Sequence, residues 1–161
     1  MADRILFLDI DGVLNSAEWF AKMQADALSR RPISHMIDDG CVDRLNRLLD
    51  ASGADVVVSS SWRLVHTLAE IRSALKSKGF TGRIIAKTPS YRGSRGSEIQ
   101  AWLTAHERDA EDIVILDDDS DMGHLASSHV CTSWGVGLTD ADVSRALALF
   151  GISERSTTEA E

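Results

Sequence analysis

The sequence predicts an α/β fold in three layers, a mainly parallel five-stranded sheet with helices on both faces. Three observations predict it. Short runs rich in Val, Ile and Leu recur along the chain, segments with apolar residues at helical spacing lie between them, and the runs are apolar throughout rather than alternating. Continuous apolar strands are those covered on both faces, as parallel sheets require. A chain of 161 residues suits one domain with a substantial core. That domain is expected over residues 1–152, with a polar, disordered tail over 153–161.

The elements follow in order. "RILFLD" (4–9) reads as the first strand. The segment from Ser16 to Gly40 interrupts the alternation and reads as a small insertion over the sheet edge, with a helix near Ala17–Ser29 and a loop through Arg30, Arg31 and Pro32. "VDRLNRLL" places a helix over Cys41–Asp50, stopped by Gly53, and "ADVVVS" (54–59) is the second strand. A helix over Leu64–Lys78 follows, with Gly79 and Gly82 at its end. "GRIIAK" (82–87) is the third strand, "EIQAWL" lies in a helix over Ser97–His106, and "DIVILD" (112–117) is the fourth strand. "HVCT" (129–132) is a shorter fifth, and Asp140–Phe150 a closing helix.

The net charge of −8 disfavours broad nonspecific nucleic-acid binding, which needs a positive surface. Part of that charge sits in Asp clusters that a bound cation would offset. Cys41 and Cys131 stand far apart without metal-ligand spacing, so both read as reduced thiols. His35, His66, His106, His124 and His129 show no metal spacing either. Met1 to Arg4 lead straight into an apolar run too short for a signal core or a membrane span, so a cytoplasmic protein without a membrane partner is expected. The oligomeric state stays open.

In open α/β sheets, ligands bind beyond the carboxyl ends of the strands. Strand one ends in Asp9 and Asp11, strand two in Ser59, Ser60, Ser61, Trp62 and Arg63, and strand four in Asp117, Asp118, Asp119, Ser120 and Asp121. Arg92 and Arg95 precede the helix after strand three. Carboxylates, hydroxyls and guanidiniums therefore converge at one end of one sheet. Clustered carboxylates repel each other, and a hard divalent cation relieves the conflict. Hydroxyls, backbone amides and an arginine fork hold phosphate oxygens. The physical reading is a Mg²⁺ site that handles a phosphate.

These motifs resemble those of the haloacid-dehalogenase-like phosphohydrolases. "FLDIDGVLN" is similar to the family's Asp-x-Asp-Gly motif, "VVVSS" to its strand ending in Ser or Thr, "RGSEIQAWL" to its basic residue at a helix start, and "VILDDDSDM" to its closing acidic motif. The four stand in the family's order from residue 5 to residue 122. The resemblance implies a Rossmann-like sandwich with a minimal cap, in which the first and fourth strands are neighbours. It implies that Asp9 is a nucleophile forming an aspartyl-phosphate and that Asp11 is the acid and base. It implies a Mg²⁺ held by the Asp9 carboxylate, the Asp11 backbone carbonyl and Asp117, with Asp118 or Asp121 completing the set. Ser59 and Arg95 would bind the phosphoryl group, with Ser60 or Ser61 and Arg92 as their alternatives. The second Asp, Asp11, resembles the pattern of phosphatases and some phosphomutases.

"FLDIDGVLNS", "SSSWR", "RGSEIQAWL" and "ILDDDSDM" together resemble the small phosphatase domains of RNA-repair proteins and, more loosely, the 3′-phosphatase domains of polynucleotide kinase-phosphatases. That resemblance implies a phosphorylated RNA or DNA end as substrate, and the short insertion implies an open site. Two alternatives stand beside it, a phosphatase of nucleotides or other small phosphometabolites, and a non-catalytic domain that binds phosphorylated ends or a protein. Arg63 either contacts phosphate or forms an ion pair at a helix start. Trp62 either stacks on a base or packs on the following helix. Trp19 and Phe20 either wall the pocket or join the core, and Arg30 and Arg31 on the insertion would steer a polymer.

Overall fold

The computed structural model describes residues 2–23 and 31–154. Five parallel strands form one sheet in the order β3-β2-β1-β4-β5: β1 Ile5–Leu8, β2 Asp55–Val58, β3 Ile84–Lys87, β4 Ile113–Asp117 and β5 His129–Cys131. Five α-helices accompany them among the described residues: α1 Ala17–Lys22, α2 Asp39–Ser52, α3 Leu68–Ser77, α4 Arg95–Ala105 and α5 Asp140–Leu149. This is the Rossmann-like α/β architecture that the sequence predicts. The five strands lie within a residue or two of their expected places, and β1 lies between β2 and β4.

β1 and the apolar positions of β2 and β4 are fully buried because their side chains enter one of two cores. Leu6, Leu8, Val56, Val58, Val114 and Leu116 pack against α2, α3 and α5 through Leu45, Leu48, Ile71, Leu75, Val143 and Leu147. The alternate residues Ile5, Phe7, Val57, Ile113 and Ile115 meet Ile99, Trp102 and Leu103 of α4, with Met122 and Leu125. The Phe7 and Trp102 rings meet edge to face at 5.5 Å. Truncating such fully buried residues to Ala costs about 2–5 kcal/mol.

Three helix boundaries differ from the expected ones, each because a polar cap sets the start. The helix expected from Leu64 begins at Leu68, where the Thr67 hydroxyl accepts from Glu70 N and Glu70 accepts from Thr67 N, a capping box. Before it, Ser61–Leu64 form a separate 3-10 turn whose first N–H groups are capped by Ser60. Leu64 and Val65 are exposed there, so they are not part of a helix's buried stripe. Ser94 caps α4, which starts two residues earlier than expected, and Asp38 caps α2. Gly53, at a φ of 67°, ends α2 and Gly79, at 89°, follows α3. Gly82 is no helix stop; it enters β3 and lies against Leu49 and Phe80.

Helix α1 is described only as far as Lys22, so the expected helix beyond it, Arg30, and most of the expected tail lie outside the described residues. Within the insertion, Trp19 Nε1 donates to His35 O at 3.2 Å and Phe20 lies beside Trp134. Among the described residues, no helix is long and apolar enough to cross a membrane.

Candidate active site

The strand ladders continue one residue past the strands, and that continuation sets the site. Asp9 N donates to Leu116 O at 3.0 Å, Ser59 N to Leu8 O at 2.8 Å, Thr88 N to Val58 O at 2.9 Å and Thr132 N to Asp117 O at 3.1 Å. Asp9, Ser59 and Asp117 are thus held at one carboxyl edge by backbone hydrogen bonds rather than by loop conformation.

Asp9, Asp117 and Asp118 each place a carboxylate oxygen within 4.8 Å of the others. Asp9 and Asp117 are buried and Asp118 is half-buried. Asp9 accepts from Ile10 N at 2.8 Å, and Asp117 Oδ1 from Asp119 N at 2.9 Å. Asp117 Oδ2 has no hydrogen-bond donor, although the Arg95 Nε lies 3.2 Å away as an ion-pair partner. Burial, with the Asp117 carboxylate beside it, pushes the Asp9 carboxyl up to about 8 against the pull of Arg95, the Ile10 N–H and the Ser60 hydroxyl. Burial raises Asp117 as well. Three converging carboxylates, one of them with an orphaned oxygen, fit a hard divalent cation, which would relieve the repulsion.

Gly12 explains the glycine of the first motif. Its φ of 81° is left-handed, and a Cβ there would run into the Asp118 carboxylate. Gly12→Ala is therefore expected to lower stability by about 1–2 kcal/mol through backbone strain alone, with displacement of Asp118 in addition. Thermal unfolding checks it, and an unchanged melting temperature would remove this account of the glycine.

Helix α4 carries the basic residue to the cluster. Gly96 lets its first turn touch the loop after β4, where a Cβ would meet the Met122 carbonyl. Arg95 N donates to Asp121 Oδ2 at 2.8 Å and Gly96 N to Asp121 O at 3.1 Å. Of the two candidates, Arg95 meets the acidic cluster while Arg92 is exposed. Asp118, not Asp121, joins the cluster, because Asp121 binds the start of α4. Of the serines, Ser60 caps the turn after β2 by accepting from Trp62 N, and Ser59 Oγ is buried without a partner. A cleft of about 270 Å³ adjoins Arg95, lined in part by Ser61, Leu64, Tyr91 and Asp119.

For two residues the structure favours the second of the alternatives left open by the sequence. Arg63 borders that cleft, and its side chain is paired with Glu98 within the fold. Its buried guanidinium donates to the carbonyls of Ser60 (2.6 Å), Thr88 (3.2 Å) and Pro89 (3.4 Å), and to Glu98 Oε2 at 2.8 Å. Trp62 is buried in the larger core and is not available to stack on a base. Its Nε1 donates to Asp11 Oδ1 at 3.1 Å, and Asn15 Nδ2 donates to the same oxygen at 2.9 Å. Asn15 in turn accepts from Gly12 N at 3.0 Å. Sequence reasoning missed Asn15 and gave Trp62 another role. The available signal was that a buried indole N–H needs an acceptor.

A search of curated proteins gave no match. The model of the family described as "HAD domain in Swiss Army Knife RNA repair proteins" matches residues 5–143, from β1 into α5, and covers every residue placed at the site above. With most of its length matched and the family's acidic motifs meeting at one sheet edge, the chain belongs to this family of haloacid-dehalogenase-like domains, whose wider kin are phosphohydrolases.

Proposed function

We propose that the protein is a Mg²⁺-dependent phosphomonoesterase that acts through an aspartyl-phosphate and removes terminal phosphates from nucleic acids. The observation that carries the chemistry is the meeting of Asp9, Asp117 and Asp118 at the edge of β1 and β4, with Arg95 beside them. The Asp9 and Asp118 carboxylates, Asp117 and the Asp11 carbonyl would hold the metal. When bound, Mg²⁺ supplies charge neutralisation for the phosphoryl oxygens and keeps the carboxylates ionised.

Asp9 attacks phosphorus, its carboxylate oxygen forming the new P–O bond as the bond to the leaving oxygen breaks. Asp11 gives that leaving oxygen a proton. It then takes a proton from the water that attacks phosphorus, which breaks the Asp9 O–P bond and releases phosphate. Arg95, Ser59 and Ser60 hold the phosphoryl oxygens. The family's RNA-repair description supports a nucleic-acid end as substrate. The net charge of −8 favours the second reading, a small phosphometabolite.

The test is phosphate release from a 3′-phosphorylated oligonucleotide compared with 3′- and 5′-mononucleotides, with and without Mg²⁺. Mg²⁺-dependent release with preference for the oligonucleotide is expected. Preference for mononucleotides would replace the substrate assignment, and no release from any of them would leave a non-catalytic binding domain.

A second expectation concerns stability. Because the Asp9 carboxyl titrates near 8 when folded and near 3.8 ordinarily, the folded chain binds more protons than the unfolded chain between those values. Metal-free stability should therefore fall as pH rises through about 4 to 8. Asp55, lowered by its bond to Arg83, works in the opposite sense and loses its contribution as pH falls below the ordinary carboxylate range. Saturating Mg²⁺ is expected to raise the melting temperature by roughly 5–10 °C at 100 Kd, and by more at pH 8 than at pH 5. An equal shift at both pH values, or none, would refute a site built on these carboxylates.

A further inference from the structure

We infer that Trp62 and Asn15 are positioning residues for Asp11, and that their two bonds reserve Asp11 Oδ2 as the oxygen that exchanges the proton. The inference rests on the phosphatase reading above and deepens it.

The geometry is specific. Asp11 sits at the end of the β1 loop, half-buried, and both of its neighbours are buried. The Trp62 indole N–H and the Asn15 amide N–H reach the same oxygen, Oδ1, at 3.1 and 2.9 Å. Oδ2 has no hydrogen-bond partner among the described residues. An oxygen that accepts two N–H donors cannot also present a proton toward them, so the proton of the acid form resides on Oδ2. Trp62 comes from the turn after β2, and Asn15 is tied back to Gly12 N, so the two holds come from different parts of the edge.

Both donors are neutral, and this fits the task. In the first half-reaction Asp11 Oδ2–H passes its proton to the leaving oxygen as the P–O bond breaks. In the second the same oxygen takes a proton from water. A neutral N–H bonded to Oδ1 holds the carboxyl in place in both forms, so its orientation survives the exchange.

The prediction distinguishes positioning from general support. A leaving alkoxide needs the proton, whereas p-nitrophenolate departs with little need of it. Trp62→Phe keeps the ring and loses the N–H. Asn15→Asp keeps the acceptor for Gly12 N and replaces the donor with a carboxylate that repels Asp11 Oδ1. For each, kcat/KM is measured on a 3′-mononucleotide and on p-nitrophenyl phosphate, since this parameter reports the steps up to phosphorylation of Asp9. Asp11→Ala serves as the reference, and the Mg²⁺-induced melting shift reports an intact fold and metal site.

Misplacing the acid is expected to lower kcat/KM on the mononucleotide by about 10- to 100-fold, and at least about tenfold more than on p-nitrophenyl phosphate. Asp11→Ala should show the same bias in stronger form. Equal losses on both substrates, or none, in a variant that keeps the melting shift would overturn the positioning role. If Asp11→Ala is biased while Trp62→Phe and Asn15→Asp are not, the positioning role alone fails. If Asp11→Ala turns over both substrates at the native rate, the acid-base assignment fails and the inference falls with it.

Discussion

Asp9→Asn is expected to abolish phosphate release while making the metal-free protein more stable. The two effects have one origin. Asn fills the same space, accepts from Ile10 N through its amide oxygen, and cannot attack phosphorus. Loss of a covalent nucleophile from a group that works as a unit costs about 10⁴-fold or more in rate. Stability moves the other way because the native carboxylate is buried beside Asp117, which with burial drives its titration up to about 8. Holding such a group protonated at neutral pH, where the unfolded chain would ionise it, costs on the order of a few kcal/mol, and the amide needs no proton. A metal-free melting temperature that rises by several degrees, most at pH 8 and least near pH 4, checks this half. Mg²⁺ should then stabilise the variant far less than the native chain. Native turnover by Asp9→Asn would disprove the mechanism, and a fall in metal-free stability would disprove the electrostatics.

Glu98→Ala is expected to destabilise the fold by about 3–5 kcal/mol, the cost of leaving a buried cation without its partner. The Arg63 and Glu98 side chains are 4% and 9% exposed, so little solvent is present to screen the pair. Glu98 Oε2 also accepts from Tyr91 N at 3.3 Å, and Arg63 binds three carbonyls from two loops. The pair thus joins the turn after β2, the segment after β3 and the first turns of α4. The carbonyls satisfy hydrogen bonds without supplying negative charge. Removing both partners, as in Arg63→Met with Glu98→Ala, should cost less than the sum of the two single losses, because neither charge is left alone. Chemical denaturation of the four proteins measures this. KM at a temperature where all remain folded should change little. A raised KM with native stability in Arg63→Met would return Arg63 to the phosphate site.

The contrast between Arg63 and Arg95 shows what the sequence could disclose. Both are arginines at the start of a helical turn near a strand end. Arg95 was legible because it precedes an amphipathic helix in a recognisable motif. Arg63 was not, because its partner Glu98 lies in another helix and no local pattern links them. The strands were legible for a simpler reason. Burial on both faces keeps the central positions of β1, β2 and β4 apolar, so the runs mark themselves. Helix starts were less so, since Thr67 and Ser94 decide them through single hydrogen bonds that periodicity does not register. The acidic residues were all legible as a group, but not which of Asp118 and Asp121 turns inward. That choice is made by Asp121 capping α4 and by the absence of a side chain on Gly12. Trp62 needed the fold most of all, because its bond to Asp11 spans 51 positions along the chain.

The adjacency of β1 and β4 has a consequence for how activity is acquired. Asp9 and Asp117 come from β1 and β4, far apart in the sequence, and meet across that strand pair. A fragment with β1, β2 and β3 would keep three neighbouring strands and would hold no acid pair at all. Long-range pairing of this kind forms late and slowly compared with local contacts. The proposed metal site would therefore report the docking of β4: chains that lack it could not bind an ion through both Asp9 and Asp117. The electrostatic conflict between the two aspartates is likewise deferred until the last central strand docks, so a cation present at that moment favours the docked sheet over the open one.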